Sequence, residues 1–366
     1  MHQTRSKYYN QDIPIEQILY GQFIKYTSME SMVAKEFTNS NANTVNVYID
    51  VLQLVLPAFR CLRVENYYSM CSVIMNYAAH IRAYFMSRHQ VVCNIILVYS
   101  PNYSSNNTRF VVEYNEKYRS RMAHNTMMEE VLKNNIEMVK LLCPFIPNLY
   151  LRQGTVEPSL IMYDCMLRQF NNGAPNIIFS TSEYAFQLPN AMKGNCIVFH
   201  KKNQRDHYGR TFDVSYSYNF MTAPYHFIKE TKGTIKSDLL IHPAAITRFM
   251  CLTGVPGRSI SSIYSAQTAL KLCQAVPEEY FIVGDYEMIH SAICTAPYKG
   301  KIHISADEFI RRFKALDIPF QYKLYSLMPD FNYTGYLDRM RDTETLKEIN
   351  DKYFKNIPIN LQNLFI

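Results

Sequence analysis

The sequence predicts an α/β protein with a central, mainly parallel β-sheet and helices on both faces. Four short runs are apolar and rich in β-branched residues, as the buried strands of parallel sheets are. Segments with apolar residues at helical spacing separate these runs, and alternation of strands with helices favours a parallel sheet. The four predicted strands are residues 45–50, 92–99, 176–180 and 196–200.

The remaining elements are predicted from periodicity and from breaks in it. A helical pattern fills residues 57–88, and the polar segment 102–117 comes after the second strand. A short strand is predicted at 148–151, and further helices at 126–143, 157–170, 243–252, 265–275, 287–295, 306–316 and 343–354. We divide the chain into an N-terminal extension (1–42), an α/β domain (43–235), a helical-hairpin region (236–298) and a C-terminal helical extension (299–366).

The composition narrows the class of protein. Hydrophobic residues make up 48% and charged residues 19% of the chain, which is typical of a globular protein. No apolar run is long enough to span a bilayer, and the first residues lack the apolar core of a secretory signal, so we expect no membrane partner. The nine cysteines form no CxxC pair, which favours buried, reduced thiols in the cytoplasm or another reducing intracellular compartment.

The charge pattern permits a polyanionic partner. The net charge is +7, and six basic or histidine residues lie within 200–210. Taken by itself, this cluster is more simply explained by a solvated loop after a strand. The absence of Trp beside 29 Tyr suggests an AT-rich genome, which is common in viruses and phages.

Particular residues stand at the ends of the predicted strands. The segment VYIDVLQLVLPAFR places Asp50 at the end of the first strand and Arg60 ten residues later, and IILVYS ends the second strand at Ser100. Downstream come YRSR, VEPSL, FSTSEYAFQL and LTGVPGRSISSIYSAQTAL. In order and spacing these segments resemble the 5′-nuclease family, which comprises phage and bacterial 5′–3′ exonucleases and flap endonucleases with a PIN-like fold. The resemblance covers about 45–298.

The resemblance assigns roles to positions of this chain. Two acidic positions of the family are retained, Asp50 and Glu157. Residues of other types occupy the remaining acidic positions, namely Ser100, Ser159, Leu160, Ser182, Tyr184 and Arg258. The resemblance and the basic cluster together predict nucleic-acid contacts for Arg60, Arg119, Arg121, Arg258, Lys201 and Lys202. In the family, the segment around Arg258 is a helical hairpin that holds a cation and grips the duplex backbone.

The loss of carboxylates bears directly on catalysis. Two-metal phosphodiester hydrolysis needs a cluster of carboxylates around two divalent cations about 4 Å apart. Mg²⁺ prefers oxygen ligands and gives up water reluctantly. Asp50 and Glu157 are therefore weak metal candidates, and no cofactor is expected unless Asp164 or Glu183 restores a site. Arg258 is predicted to neutralise the two remaining carboxylates in place of a metal.

Three hypotheses remain open from the sequence. The first is a catalytically impaired 5′-nuclease-like protein that binds nucleic acid, with DNA expected rather than RNA, or serves as a scaffold in a nucleic-acid-processing assembly. The second is an active, divergent 5′–3′ exonuclease or flap endonuclease that depends on Mg²⁺ or Mn²⁺. The third is a purely structural subunit that binds other proteins of a larger assembly.

Overall fold

The fold is built around a six-stranded sheet in the order β3-β2-β1-β4-β5-β6. The first five of these strands in space are mutually parallel, and β6 pairs antiparallel with β5. The computed structural model describes residues 43–51, 69–100, 126–154, 156–171, 173–180, 183–192, 196–205, 211–219, 225–231, 234–241, 245–255, 260–274, 288, 291, 304–325, 343–354 and 359–364. All four predicted strands lie in the sheet, so the predicted α/β class is confirmed.

In the central part of the sheet, each strand begins and ends close to the limits of a predicted apolar run. The chain has eight strands among its described residues. They are β1 Thr44–Asp50, β2 Val92–Tyr99, β3 Leu149–Gln153, β4 Asn176–Ser180, β5 Cys196–Arg205, β6 Thr211–Asn219, β7 Tyr225–Thr231 and β8 Thr234–Ile241. The last two form a separate antiparallel pair. The sequence patterns do not predict β6, β7 and β8, because their many polar residues hide the alternation that marks a buried strand.

Helices cover both faces of the sheet. They are α1 Ser69–His89, α2 Thr126–Leu142, α3 Pro158–Arg168, α4 Leu188–Ala191, α5 Ile246–Thr253, α6 Ala266–Gln274, α7 Ala306–Leu316, α8 Ile318–Tyr325, α9 Thr343–Tyr353 and α10 Leu361–Leu364. Short 3-10 helices occupy Cys143–Phe145 and Glu183–Gln187. The predicted helix 287–295 lies mostly outside the described residues.

Strand alternation divides the core into two layers. Val47 and Ile49 of β1 pack in one cluster with residues of α1, α2 and α9. Tyr48, between them, packs in the other cluster with residues of α3, α5, α6 and α7. We call the side of Tyr48 the α3 face of the sheet. Alternate residues of a strand point to opposite faces, so every second residue from Tyr48 belongs to this face.

A row of three asparagines fixes the register at the amino edge of the sheet. Asn46 of β1 stands opposite Asn94 of β2 and Asn176 of β4. The Asn94 Nδ2 donates to Asn46 Oδ1 at 3.0 Å, and the Asn46 Nδ2 donates to Asn176 Oδ1 at 3.2 Å. A slip of one residue would separate all three amides, so this ladder specifies how the central strands align.

Candidate functional site

Three polar side chains lie at the carboxyl edge of the sheet. Asp50 ends β1 and lies opposite Val98, two residues before Ser100. Ile49 lies opposite Phe179, which places Ser180 beside Asp50. Each of the three is two residues after a side chain of the α3-face core, namely Tyr48, Val98 and Ile178, so all three belong to the α3 face. All three are buried.

Glu157 reaches the same edge through the turn between β3 and α3. The Gly154 N–H donates to the Tyr99 carbonyl at 3.2 Å, and the Ser100 hydroxyl donates to the Val156 carbonyl. These two bonds fasten the turn to the end of β2. Glu157 is buried and occupies the N-cap of α3, with Pro158 at the first helical position. The Ser159 hydroxyl lies 3.4 Å from Glu157 Oε1, and the helix N-terminus favours a negative charge there.

Two of the positions that the resemblance aligns with acids of the family are part of the apolar core. Leu160 of α3 and Tyr184 of the second 3-10 helix are each 1% exposed and pack in the α3-face cluster. Glu183 lies in the same 3-10 helix, and only its backbone is described. Five residues predicted for the site lie outside the described residues, namely Arg60, Arg119, Arg121, Ser182 and Arg258.

Asp164, considered from the sequence as a replacement ligand, has other partners. It is fully buried on α3, and its Oδ1 accepts from the Tyr322 hydroxyl of α8 and, at 2.9 Å, from Arg168 Nε. Burial raises the pKa of Asp164, and the Tyr322 hydrogen bond and the Arg168 charge oppose that rise. Burial and the bond to Asp164 raise the pKa of Tyr322 to about 12. This cluster joins α3 to α8.

The described donor set does not fit a two-metal centre. At the carboxyl edge it offers the carboxylates of Asp50 and Glu157 and the hydroxyls of Ser100 and Ser180, and the Ser100 hydroxyl is bound to a carbonyl. Within the described part of the chain, no three His, Cys, Asp or Glu residues lie together in a way that could hold a metal ion. Two divalent cations need more negative charge than two carboxylates supply.

A β-ribbon extends beyond the same edge. The pairing of β4 with β5 ends at Ser180 and His200, whereas β5 and β6 stay paired to Arg205 and Thr211. Because β5 runs parallel to β4, residues 201–205 project about 17 Å past the carboxyl edge at the usual rise per residue. The backbone of Lys201 and Lys202 lies in this projecting part.

A helical hairpin packs on the α3 face. It consists of α5, a turn closed by the antiparallel bridge of Val255 and Ile260, and α6. The predicted helices 243–252 and 265–275 correspond to α5 and α6. Sequence reasoning missed Arg312 of α7, which is buried against this turn. Its only sequence signal is its place on the apolar side of α7 beside Phe309 and Phe313.

Comparison with known proteins found likeness at the level of structure. No protein-family model matches the sequence. No curated protein gives a significant match. A flap endonuclease of bacteriophage T5, solved as a pseudo-enzyme–product complex with DNA and metal ions, is 13% identical, with a TM-score of 0.48 over 87% of this chain and 99% of that one. The chain is similar in structure to 5′-nucleases.

Two further solved structures extend the comparison. The bacteriophage T5 5′-exonuclease with bound zinc is 10% identical, with a TM-score of 0.48 over 78% of this chain and 95% of that one. Human GEN1 in complex with Holliday junction DNA is 10% identical, with a TM-score of 0.39 over 87% of this chain and 71% of that one. The described helices include none long and apolar enough to cross a membrane.

Proposed function

We propose that this chain is a catalytically impaired 5′-nuclease-like protein that binds nucleic acid along the carboxyl edge of its sheet. One observation carries the proposal. The edge at which the described residues supply two carboxylates, Asp50 and Glu157, is the edge beyond which the ribbon with Lys201, Lys202 and Arg205 projects. Ligands of open α/β sheets bind outside the carboxyl ends of the strands.

The chemistry of the edge supports binding over hydrolysis. Lysine and arginine side chains gain affinity for a phosphodiester backbone by releasing condensed counterions, and this needs no metal. Hydrolysis needs an activated water, which the family's metal ions supply. The retained carboxylates, Asp50 and Glu157, are too few for that role, and Arg258 would neutralise them in place of a cation. DNA is the expected nucleic acid.

A binding titration tests the proposal at the ribbon. We expect the protein to bind a flap-bearing DNA duplex with an affinity that falls steeply as salt rises. The double variant K201Q/K202Q should weaken binding roughly tenfold and lower the slope of log K against log salt by about 2, one unit for each lost phosphate contact. Fluorescence anisotropy across a salt series measures both quantities.

A matched variant controls for net charge. K347Q/K352Q removes the same charge from α9, which packs on the opposite face of the sheet through Leu346. This control should bind as the unmodified protein does. If neither the unmodified protein nor this control binds DNA in a salt-dependent manner, the third hypothesis, a purely structural subunit, replaces the proposal.

A cleavage assay tests the impairment. Flap, nicked and single-stranded substrates should remain intact with Mg²⁺ or Mn²⁺, because the described residues of the edge supply too few carboxylates for two cations. Cleavage that is lost in Asp50→Asn would instead establish the active, divergent nuclease of the second hypothesis.

A further inference from the structure

The turn of the helical hairpin collects backbone oxygens at the end of α5. The last carbonyls of a helix have no partner within the helix and carry its partial negative charge. Here the Met250 carbonyl accepts from Gly254 N–H at 2.9 Å, and the Leu252 carbonyl accepts from the N–H groups of Ile263 and Tyr264 at 3.0 and 3.1 Å. The Cys251 carbonyl, between them, needs a donor from elsewhere in the chain.

Arg312 of α7 supplies that donor. Its Nη1 donates to the Cys251 carbonyl at 3.1 Å and to the Ser261 carbonyl at 2.7 Å, and its Nη2 lies 3.4 Å from the Ser261 hydroxyl. The side chain is 6% exposed. One guanidinium therefore joins the end of α5 to Ser261, which follows the Val255–Ile260 bridge. Three oxygen atoms surround its single positive charge.

Glu308 holds this guanidinium in place. Its Oε1 accepts from Arg312 Nε at 2.8 Å, one helical turn earlier on α7. The neighbouring Arg311 binds the other oxygen, Oε2, also at 2.8 Å, but its side chain is 54% exposed. The planar fork of arginine can satisfy Glu308 and two carbonyls together, which a lysine ammonium does less well.

We propose that Arg312 is a built-in cation that organises the helical hairpin in place of a bound metal ion. The 5′-nuclease resemblance implies a bound cation at this hairpin. In this chain, N–H donors of Arg312 bind the carbonyl oxygens of Cys251 and Ser261 and the Ser261 hydroxyl, so a metal ion would have to displace Arg312 to bind these three oxygens. The hairpin is then ordered at any cation composition. A role of the hairpin in gripping DNA rests on the proposed function, whereas the ordering of the hairpin by Arg312 does not.

Exchange of the monovalent cation in the buffer is the first test. The melting temperature should agree within ~1 °C between KCl and choline chloride at equal ionic strength, because no potassium site contributes. The salt-matched affinity for duplex DNA should likewise be the same in both. A melting temperature several degrees higher in KCl would overturn the proposal. A failure to bind DNA in either salt would overturn only the proposed function.

Matched variants on α7 are the second test. Arg312→Gln should lower the melting temperature by about 3–6 °C and speed hydrogen exchange at the amides of Ile263 and Tyr264 at least about tenfold. Arg311→Gln removes the same charge and a contact with the same residue, Glu308, but from the exposed side of α7. It should shift the melting temperature by less than ~1 °C. Arg312→Lys keeps the charge and should recover more than half of the lost stability. Equal behaviour of R312Q and R311Q, or of R312K and R312Q, would overturn the role of Arg312 as a cation.

Discussion

Asp164 is fully buried, and partners within the chain offset part of the cost of burying its charge. Tyr322 donates to it from α8, and Arg168 stands one helical turn away on α3. Arg312 has a similar environment, because Glu308 and two carbonyls surround it. Buried charges survive where hydrogen bonds and a counter-charge offset the loss of water. The Tyr322 and carbonyl contacts join segments that are far apart in sequence.

The pH dependence of stability should report the buried carboxyl of Asp164. Its pKa is raised in the folded state, so the folded protein holds this proton more tightly than the unfolded chain does. Its contribution to stability therefore falls as pH rises from its ordinary value of 3.8 to the raised value, and is constant above that. Asp164→Asn cannot titrate. The unmodified protein should lose melting temperature relative to D164N across this interval and run parallel to it at neutral pH.

Differential scanning calorimetry at closely spaced pH values measures this difference. Asp317 also has a raised pKa through burial, but it is present in both proteins and its contribution cancels. Glu348→Gln, on the exposed side of α9, is a control that removes the same charge at a solvated position. A difference between the unmodified protein and D164N that stays constant over the acid interval would contradict a raised pKa.

At the scale of elements, the turn of the hairpin depends on Gly254. This residue ends α5 with φ +77 and ψ 163, a region that side chains disfavour. A Cβ at this position would lie 2.5 Å from the Ile260 carbonyl oxygen and 2.6 Å from the Ser262 nitrogen. Those atoms belong to the backbone at and after the Val255–Ile260 bridge, and they cannot move without opening the turn.

Gly254→Ala should therefore destabilise the protein more than the backbone conformation alone would. We expect a loss of about 3 kcal/mol or more in the free energy of unfolding. Gly173→Ala is the matched control, since Gly173 has φ +74 but no described atom lies within 4 Å of the place that a Cβ would take there. That variant should lose about 1 kcal/mol. Urea unfolding measures both, and equal losses would mean that the turn opens freely.

Elements with strong periodicity can be predicted from the sequence, and those defined by distant contacts cannot. The predicted helix 306–316 corresponds to α7, and residues 45–50 correspond to β1. The ribbon of β5 and β6 is not predicted beyond residue 200, because basic and polar residues also fit a solvated loop. The positions of Asp50 and Ser100 at one edge follow from the parallel pattern. The bond from Ser100 to Val156 depends on the turn before α3, a segment without periodicity.

At the scale of the whole molecule, C-terminal segments pack on both faces of the sheet. On the α3 face, Gln187 Nε2 donates to the Leu316 carbonyl at 2.9 Å and Gln187 Oε1 accepts from Thr247 at 2.8 Å. On the other face, Arg82 of α1 donates to the Leu364 carbonyl, and the Asn360 N–H donates to Asn76 at 2.6 Å. Protein contacts thus hold the described layers together.

Metal ions should accordingly have little effect on the stability of the whole molecule. A ligand that binds only the folded protein stabilises it by an amount that grows with the logarithm of its concentration over Kd, so a tight Mg²⁺ site would raise the melting temperature by several degrees. Among the described residues, the carboxyl edge offers two carboxylates, and a helix N-terminus already lies beside one of them, Glu157. We expect melting temperatures in MgCl₂ and in EDTA to agree within ~1 °C at equal ionic strength. If MgCl₂ gives a rise of several degrees that Asp50→Asn abolishes, the edge binds metal and the active-nuclease hypothesis gains the stronger claim.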